Sequence, residues 1–299
     1  MKRLETFLHL FLNFMRRILT LILFIISFHG FSQNFLSWQF NDRYFSISAG
    51  TGSATYFGEL NYDNAVNRQF SLVSIGLEAR LLSKLGARIE TNYLALDGQD
   101  ADAPDNTFER QRNLSFESRN FQVRLDFIYY LKAYQGDYYK RWVFDPYLTT
   151  GIGYLRYTPA ARFGGERFLL REAQTEGESY NQWAFTVPFG IGAKFRVNEF
   201  LNVNFEVLYH LAFTDYLDDV SKTYATEFAN TTAEFLSDRK DEVGVLNETF
   251  YDQIQPGAPR GDSNTNDSFL LIGVKAELFL PPGLFSGRDK AILKKPSAY

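Results

Sequence analysis

A chain of 299 residues with no cysteine and a formal net charge of -4 excludes disulfide staples, thiolate chemistry and cysteine-bound metals. Its weak negative charge offers no global attraction to nucleic acid or anionic lipid. With 30 Phe and 18 Tyr against two Met, the composition points away from a soluble α/β core and toward strands and membrane interfaces.

The chain opens with an export-signal pattern. Arg16 and Arg17 precede the apolar run from Ile18 to Phe28, and Gly30, Phe31 and Ser32 flank a cleavage point before Gln33. Residues 1–32 are therefore expected to be a signal peptide, with Met15 an alternative start because the string that follows it is already a complete signal. The run falls short of the ~20 apolar residues of a spanning helix. No later segment is as apolar, so residence in a membrane must come from strands. Residues 33–43 are expected to be a periplasmic segment.

Period-two alternation then dominates. From Leu201 to Phe213, Leu201, Val203, Phe205, Val207, Tyr209, Leu211 and Phe213 alternate with Asn202, Asn204, Glu206, Leu208, His210 and Ala212. The same pattern runs over 268–280 and around 121–131, and more weakly over 44–56, 70–81, 85–96, 144–157 and 183–196. Connections alternate between short or moderate (82–84, 132–143, 197–200) and longer (57–69, 97–113, 158–182, 215–267), the asymmetry of periplasmic turns and outer loops. The expected fold is all-β: an eight-stranded antiparallel transmembrane β-barrel of the outer membrane over 44–281, with both termini periplasmic.

In such a barrel the apolar faces meet lipid and the polar faces meet inside. The inward set is expected to be Glu78, Arg80, Arg88, Glu90, Arg124, Asp126, Lys194, Glu206, Lys275 and Glu277, five acids and five bases. Opposite charges on neighbouring strands would pair there and fill a lumen that, with eight strands, has room only for side chains. Gly50, Gly52, Gly76, Gly151, Gly153, Gly190 and Gly192 would make space for the long cationic side chains or mark bends.

Aromatic residues crowd the 132–143 turn and its flanks, among them Tyr138, Tyr139 and Trp142, as an interfacial girdle and a candidate docking surface. His210 and Glu206 share the lumen face of one strand; a structural role is favoured over catalysis because a charged lumen provides no acyl pocket. The acidic run 97–105 lacks the Gly and Glu of a calcium loop and is interrupted by Pro104, so a solvated loop is expected. The 215–267 loop carries twelve acidic and four basic residues; a small cap over the barrel mouth and a disordered segment are both open. At its start, Phe213 and Tyr216 are expected at the outer interface, with Asp215, Asp218 and Asp219 beginning the solvated loop. A cation site or a protein contact there is the alternative. Residues 282–299 form a basic tail with Arg288, Lys290, Lys294 and Lys295.

The strings ATYFGELN (54–61), RNLSFESRNFQVRLDFIYYL (112–131), FDPYLTTGIGYLRYTP (144–159), VPFGIGAKFRVNEFLNVNFEV (187–207) and YHLAFTDYLDDVSKTY (209–224) resemble the PorG family of Bacteroidota outer-membrane proteins, components of the type IX secretion system. The rim string around Tyr216, Asp218 and Asp219 is the most specific of them. The resemblance implies a non-enzymatic accessory barrel, surrounded by outer-membrane lipids, that docks on the periplasmic ring of PorK and PorN type proteins and supports secretion and gliding motility. It implies no catalytic, cofactor-binding or metal-binding residues, no small-molecule substrate and no nucleic-acid partner. Docking is expected through Tyr138, Tyr139, Trp142, Arg288 and Lys290. A surface adhesin acting through the acidic loop and a lipid-modifying barrel enzyme are the competing expectations.

Overall fold

The computed structural model describes residues 44–62, 70–134, 141–228 and 230–280. The expected signal peptide, the periplasmic segment, the basic tail, Tyr138, Tyr139, Arg288 and Lys290 lie outside the described residues.

Eight long strands form one closed antiparallel sheet: β1 (Tyr44–Phe57), β2 (Leu72–Arg80), β3 (Leu85–Gln99), β4 (Ser115–Tyr130), β5 (Phe144–Arg156), β8 (Trp183–Arg196), β9 (Leu201–Ala212) and β10 (Ser268–Leu280). Each pairs with its neighbours in order, and the seam joins β1 to β10 from Phe45 opposite Leu280 to Phe57 opposite Ser268. The remaining two strands, β6 (Pro159–Phe163) and β7 (Glu166–Leu169), form a hairpin in the β5–β8 connection and lean on the start of β4 through Glu117 opposite Ala160. Its turn is Gly164-Gly165 with φ of +60° and +86°, a left-handed pair that glycine adopts without a Cβ penalty.

Alternation in the sequence becomes alternation in environment. Ile75, Ile89, Phe127, Ile152, Phe185, Ile191 and Phe205 are among the large apolar side chains exposed on the outer wall, while Arg88, Glu90, Arg124 and Asp126 on adjacent positions are buried. A water-soluble sandwich would invert this, since burying charge costs far more than exposing it. An apolar exterior, a charged interior and a sheet without edges describe a membrane-spanning barrel of the outer-membrane type. No helix among the described residues is long and apolar enough to cross a membrane.

The short turns lie at one end. Leu81 and Leu82 N–H donate to the Leu85 carbonyl between β2 and β3, and the Asn198 side chain accepts from the backbone N–H groups of Phe200 and Leu201 between β8 and β9. Two belts of exposed aromatics flank the apolar wall. Tyr129, Trp142, Phe144 and Phe195 lie at the short-turn end, and Tyr93, Phe121, Tyr154, Trp183 and Phe213 toward the other. Tyr130 and Tyr147, from the same aromatic-rich stretch, instead point inward and are buried.

At the other end the long connections fold into an ordered cap, so the disordered alternative for 215–267 does not hold over the described residues. Among the described residues the cap contains four short α-helices, α1 (Phe108–Arg112), α2 (Leu170–Ala173), α3 (Thr231–Ser237) and α4 (Glu248–Gln253). Thr107, Asn230 and Asn247 cap α1, α3 and α4 by accepting first-turn backbone N–H groups. Beneath the helices, Leu60, Leu96, Leu114, Leu155, Leu217, Val220, Leu236 and Phe269 pack into one buried apolar cluster that stoppers the barrel mouth.

Candidate functional site

Inside the wall, the side chains that alternate inward from seven strands meet as one ion-pair network. Glu206 on β9 is its hub: it accepts from Arg88 at 2.5 Å and from Lys275 at 2.5 Å, lies 3.4 Å from Arg124, and accepts the Tyr147 hydroxyl proton at 2.9 Å. Glu90 takes Arg124 at 2.6 Å and Lys275 at 2.7 Å, and Asp126 takes Arg88 at 3.0 Å. Nearer the short turns, Lys194 bridges Glu78 at 2.5 Å and Glu277 at 2.7 Å, and Tyr130 donates to Glu78. Arg80 completes the set at Asp145, 2.8 Å away. The structure thus brings all ten of the expected lumen residues inside, each at most 3% exposed.

Alternation also places polar residues there beyond the expected ten. Ser46, Asn202 and Asn204 donate to Glu277 at 2.5, 3.0 and 3.0 Å. Asp145 joins at the short-turn end through Arg80, and Arg141, outside the strands, donates there to the Asn198 and Glu199 carbonyls. Gly192 explains how Tyr147 reaches Glu206. The tyrosine ring lies across Gly192 on the neighbouring strand, where an added Cβ would fall 2.3 Å from the ring carbon Cζ.

His210 sits at the upper edge of the network, fully enclosed. Its Nδ1 is 3.2 Å from the Gln122 amide nitrogen, its Nε2 is 3.5 Å from Arg124, and its ring stacks on Phe269 with centroids 4.5 Å apart. Glu206, its expected acidic partner, is occupied by three cations and a tyrosine. This arrangement holds charges in fixed positions.

The rim reading requires correction. Asp218 and Asp219 are each 1% exposed, and Asp215 is also buried, so these residues begin a folded junction rather than a solvated loop. Asp219 accepts the Tyr180 hydroxyl at 2.6 Å and that of Thr175, and faces Arg260 at 3.5 Å. Arg260 in turn pairs with Glu176 at 3.0 Å, whose carboxylate accepts the Ser221 and Lys222 backbone N–H groups. Tyr216 does not face lipid; it stacks on Tyr180 at 4.4 Å. In the acidic run 97–105, Asp102 and Asp105 are exposed as expected, and the correction falls on Asp100. Asp100 is buried, and Arg112 grips both its oxygens at 2.8 Å while donating to the Arg260 carbonyl at 2.7 Å.

Burial pushes the Asp215 carboxyl up to about 7, with Glu59, Glu176 and Asp262 adding to the rise and Ser221 opposing it. Burial raises Asp219 to about 6 against the pull of Arg260. Asp218 and Asp267 are pushed well above the ordinary carboxylate range, by burial first and by neighbouring carboxylates after it.

Of the expected docking residues, Trp142 is described. It is 40% exposed at the short-turn end, with its indole N–H donating to the Ala133 carbonyl at 2.9 Å and the Lys132 ammonium 5.1 Å from its ring.

The wall of the molecule is similar to those of several solved bacterial outer-membrane proteins. A major outer membrane protein from Thermus thermophilus aligns at 11% identity and a TM-score of 0.39, over 80% of this chain and 99% of its own. OprG from Pseudomonas aeruginosa aligns at 11% identity and a TM-score of 0.37, over 81% and 97% respectively. No curated protein sequence matches the chain. A protein-family model described as a domain of unknown function, DUF6089, matches residues 21–236, from ahead of β1 through β9 and into the cap but short of β10, and the chain belongs to that family.

Proposed function

We propose that this barrel is a non-enzymatic accessory component of the type IX secretion machinery, anchored in the outer membrane and docked on a periplasmic ring of PorK and PorN type proteins. The resemblance of residues 44–281 to the PorG family motivates the machinery. The single observation that favours an anchor over a pore or an enzyme is the lumen, where Glu206, Glu90, Arg88, Arg124 and Lys275 fill the cross-section with mutually paired charge. A filled cylinder can transmit position and force and offers no solute path.

Docking is assigned to the short-turn face, through Trp142, Tyr138 and Tyr139, with Arg288 and Lys290 from the tail. Co-purification of ring proteins with the full chain from solubilised envelopes tests it. Trp142→Ala combined with Tyr138→Ala and Tyr139→Ala, or Arg288→Ala with Lys290→Ala, is expected to lower recovery of the ring proteins while the barrel remains inserted. Unchanged recovery with both sets altered together removes the docking assignment.

The ordered cap favours a second reading, a surface-binding barrel. Phe235, Val243, Val245 and Leu246 are exposed large apolar residues on it. Replacing these four with Ser would abolish function under that reading and leave secretion intact under the first.

A further inference from the structure

Three segments meet where the cap joins the wall: the turn after β1, which carries Glu59, the residues after β9, which carry Asp215 and Asp218, and Asp267 immediately before β10. Carboxylate oxygens of Glu59, Asp215 and Asp267 all lie within 4.8 Å of one another. Asp218 adjoins them through Tyr56, whose hydroxyl is 2.7 Å from Asp218 and 2.8 Å from Asp267. A phenol has one proton to give. It satisfies one of these acids and leaves the other facing an oxygen lone pair.

The rest of the molecule gives this cluster its meaning. Among the described residues, the buried acids Glu78, Glu90, Asp100, Asp126, Asp145, Glu206, Asp219 and Glu277 each pair with an Arg or Lys. Asp215, Asp218 and Asp267 are buried, and none of them forms an ion pair with a described residue. Asp215 is the sharpest case: it is 8% exposed, and both its carboxylate oxygens are enclosed without a hydrogen bond of good geometry, although the Ser221 hydroxyl lies near enough to act on them. A fold that pairs the eight buried carboxylates named above with cations leaves this one aimed at two more, and an uncompensated buried charge is strongly destabilising.

We propose that Glu59, Asp215 and Asp267, with Asp218 beside them, form a calcium site that ties the β1–β2 connection to both ends of the β9–β10 connection. The donor set is all hard oxygen, carries several negative charges, and is contributed by loops that can adjust around an ion of variable coordination. Two oxygens bound to one calcium at 2.3–2.6 Å are separated by no more than about 5 Å, and the observed cluster falls inside that limit. Smaller magnesium demands near-ideal octahedral geometry and keeps most of its water, which a cluster with Asp215 and Asp267 buried does not favour.

The test uses the full chain, folded in detergent micelles and stripped with chelator, titrated calorimetrically with CaCl2 and separately with MgCl2. Expected is saturable binding of one calcium per chain, with a dissociation constant near the roughly 10⁻⁴–10⁻³ M of other extracellular sites. Asp215→Asn should weaken it at least about tenfold while the heat-modifiable band of the folded barrel is retained. If that variant fails to insert, Glu59→Gln, on a half-buried residue, carries the same expectation. No saturable calcium binding, equal affinity in the folded variant, or tighter binding of magnesium than of calcium overturns the proposal. So does an infrared carbonyl band of protonated carboxylic acid that persists at pH 7.5 in saturating CaCl2, since protons would then be neutralising the cluster.

Discussion

Glu206 shows how much one side chain can hold in a lumen of this width. Three cations and a tyrosine hydroxyl converge on its two oxygens. Replacing it with Ala leaves Arg88, Arg124 and Lys275 with surplus buried positive charge, so a loss of about 3–5 kcal/mol is expected, measured by urea unfolding of the barrel in lipid vesicles. The two buried acids at the rim carry a pH signature of opposite sense to ordinary acid denaturation. In the metal-free folded state the Asp215 and Asp219 carboxyls hold their protons to about 7 and about 6, against an ordinary 3.8. The folded chain therefore binds more protons than the unfolded one across that window, and stability falls as pH rises from about 4 to 7. The carboxylates and the base around them, Glu59, Glu176, Asp262, Asp218, Asp267 and Arg260, shape the same window. In chelator, protease cleavage within 213–267 is expected to be faster at pH 7.5 than at pH 5. The reverse order would show that these acids are ionised in the folded cap.

At the scale of elements, the strands are legible in the sequence where one face meets lipid and illegible where it does not. In β9 and β10 every outward position facing the membrane is apolar or aromatic, and period two is plain. The first six residues of β4, Ser115 to Asn120, escape the pattern because Ser115, Glu117 and Arg119 face outward above the apolar wall, where water replaces acyl chains and no greasy alternation is required. The same physics hides the end of β3 and the β6–β7 hairpin. Ile191 lies midway along β8 and is 60% exposed on the outer wall. Ile191→Arg is expected to destabilise the inserted barrel by about 2–4 kcal/mol in a vesicle unfolding assay, whereas a chain folded in water would tolerate it. In the cap, Arg112 links the β3–β4 connection to the β9–β10 connection through Asp100 and the Arg260 carbonyl. Arg112→Ala should open 213–267 to limited proteolysis while the wall stays protected.

For the molecule as a whole, eight closed strands with a paired charge network below and an apolar stopper above predict no stepwise ion conductance across a planar bilayer. Sustained open-channel currents would mean that the network parts. The barrel and its charged interior are readable because period two and charge balance are local properties of each strand. The cap junction is not, since Asp219 acquires its partners from Thr175, Tyr180 and Arg260, far off in the chain, and nothing in the run FTDYLDDVSKTY announces them.

The seam between β1 and β10 has a last consequence. Since the first strand finds its partner in the final one, no fraction of this chain is a fraction of a barrel: a product stopped before Ser268 would expose two unpaired edges to hydrocarbon that has no hydrogen bonds to offer. Closure therefore waits for β10, and the strands before it cannot complete the wall without it.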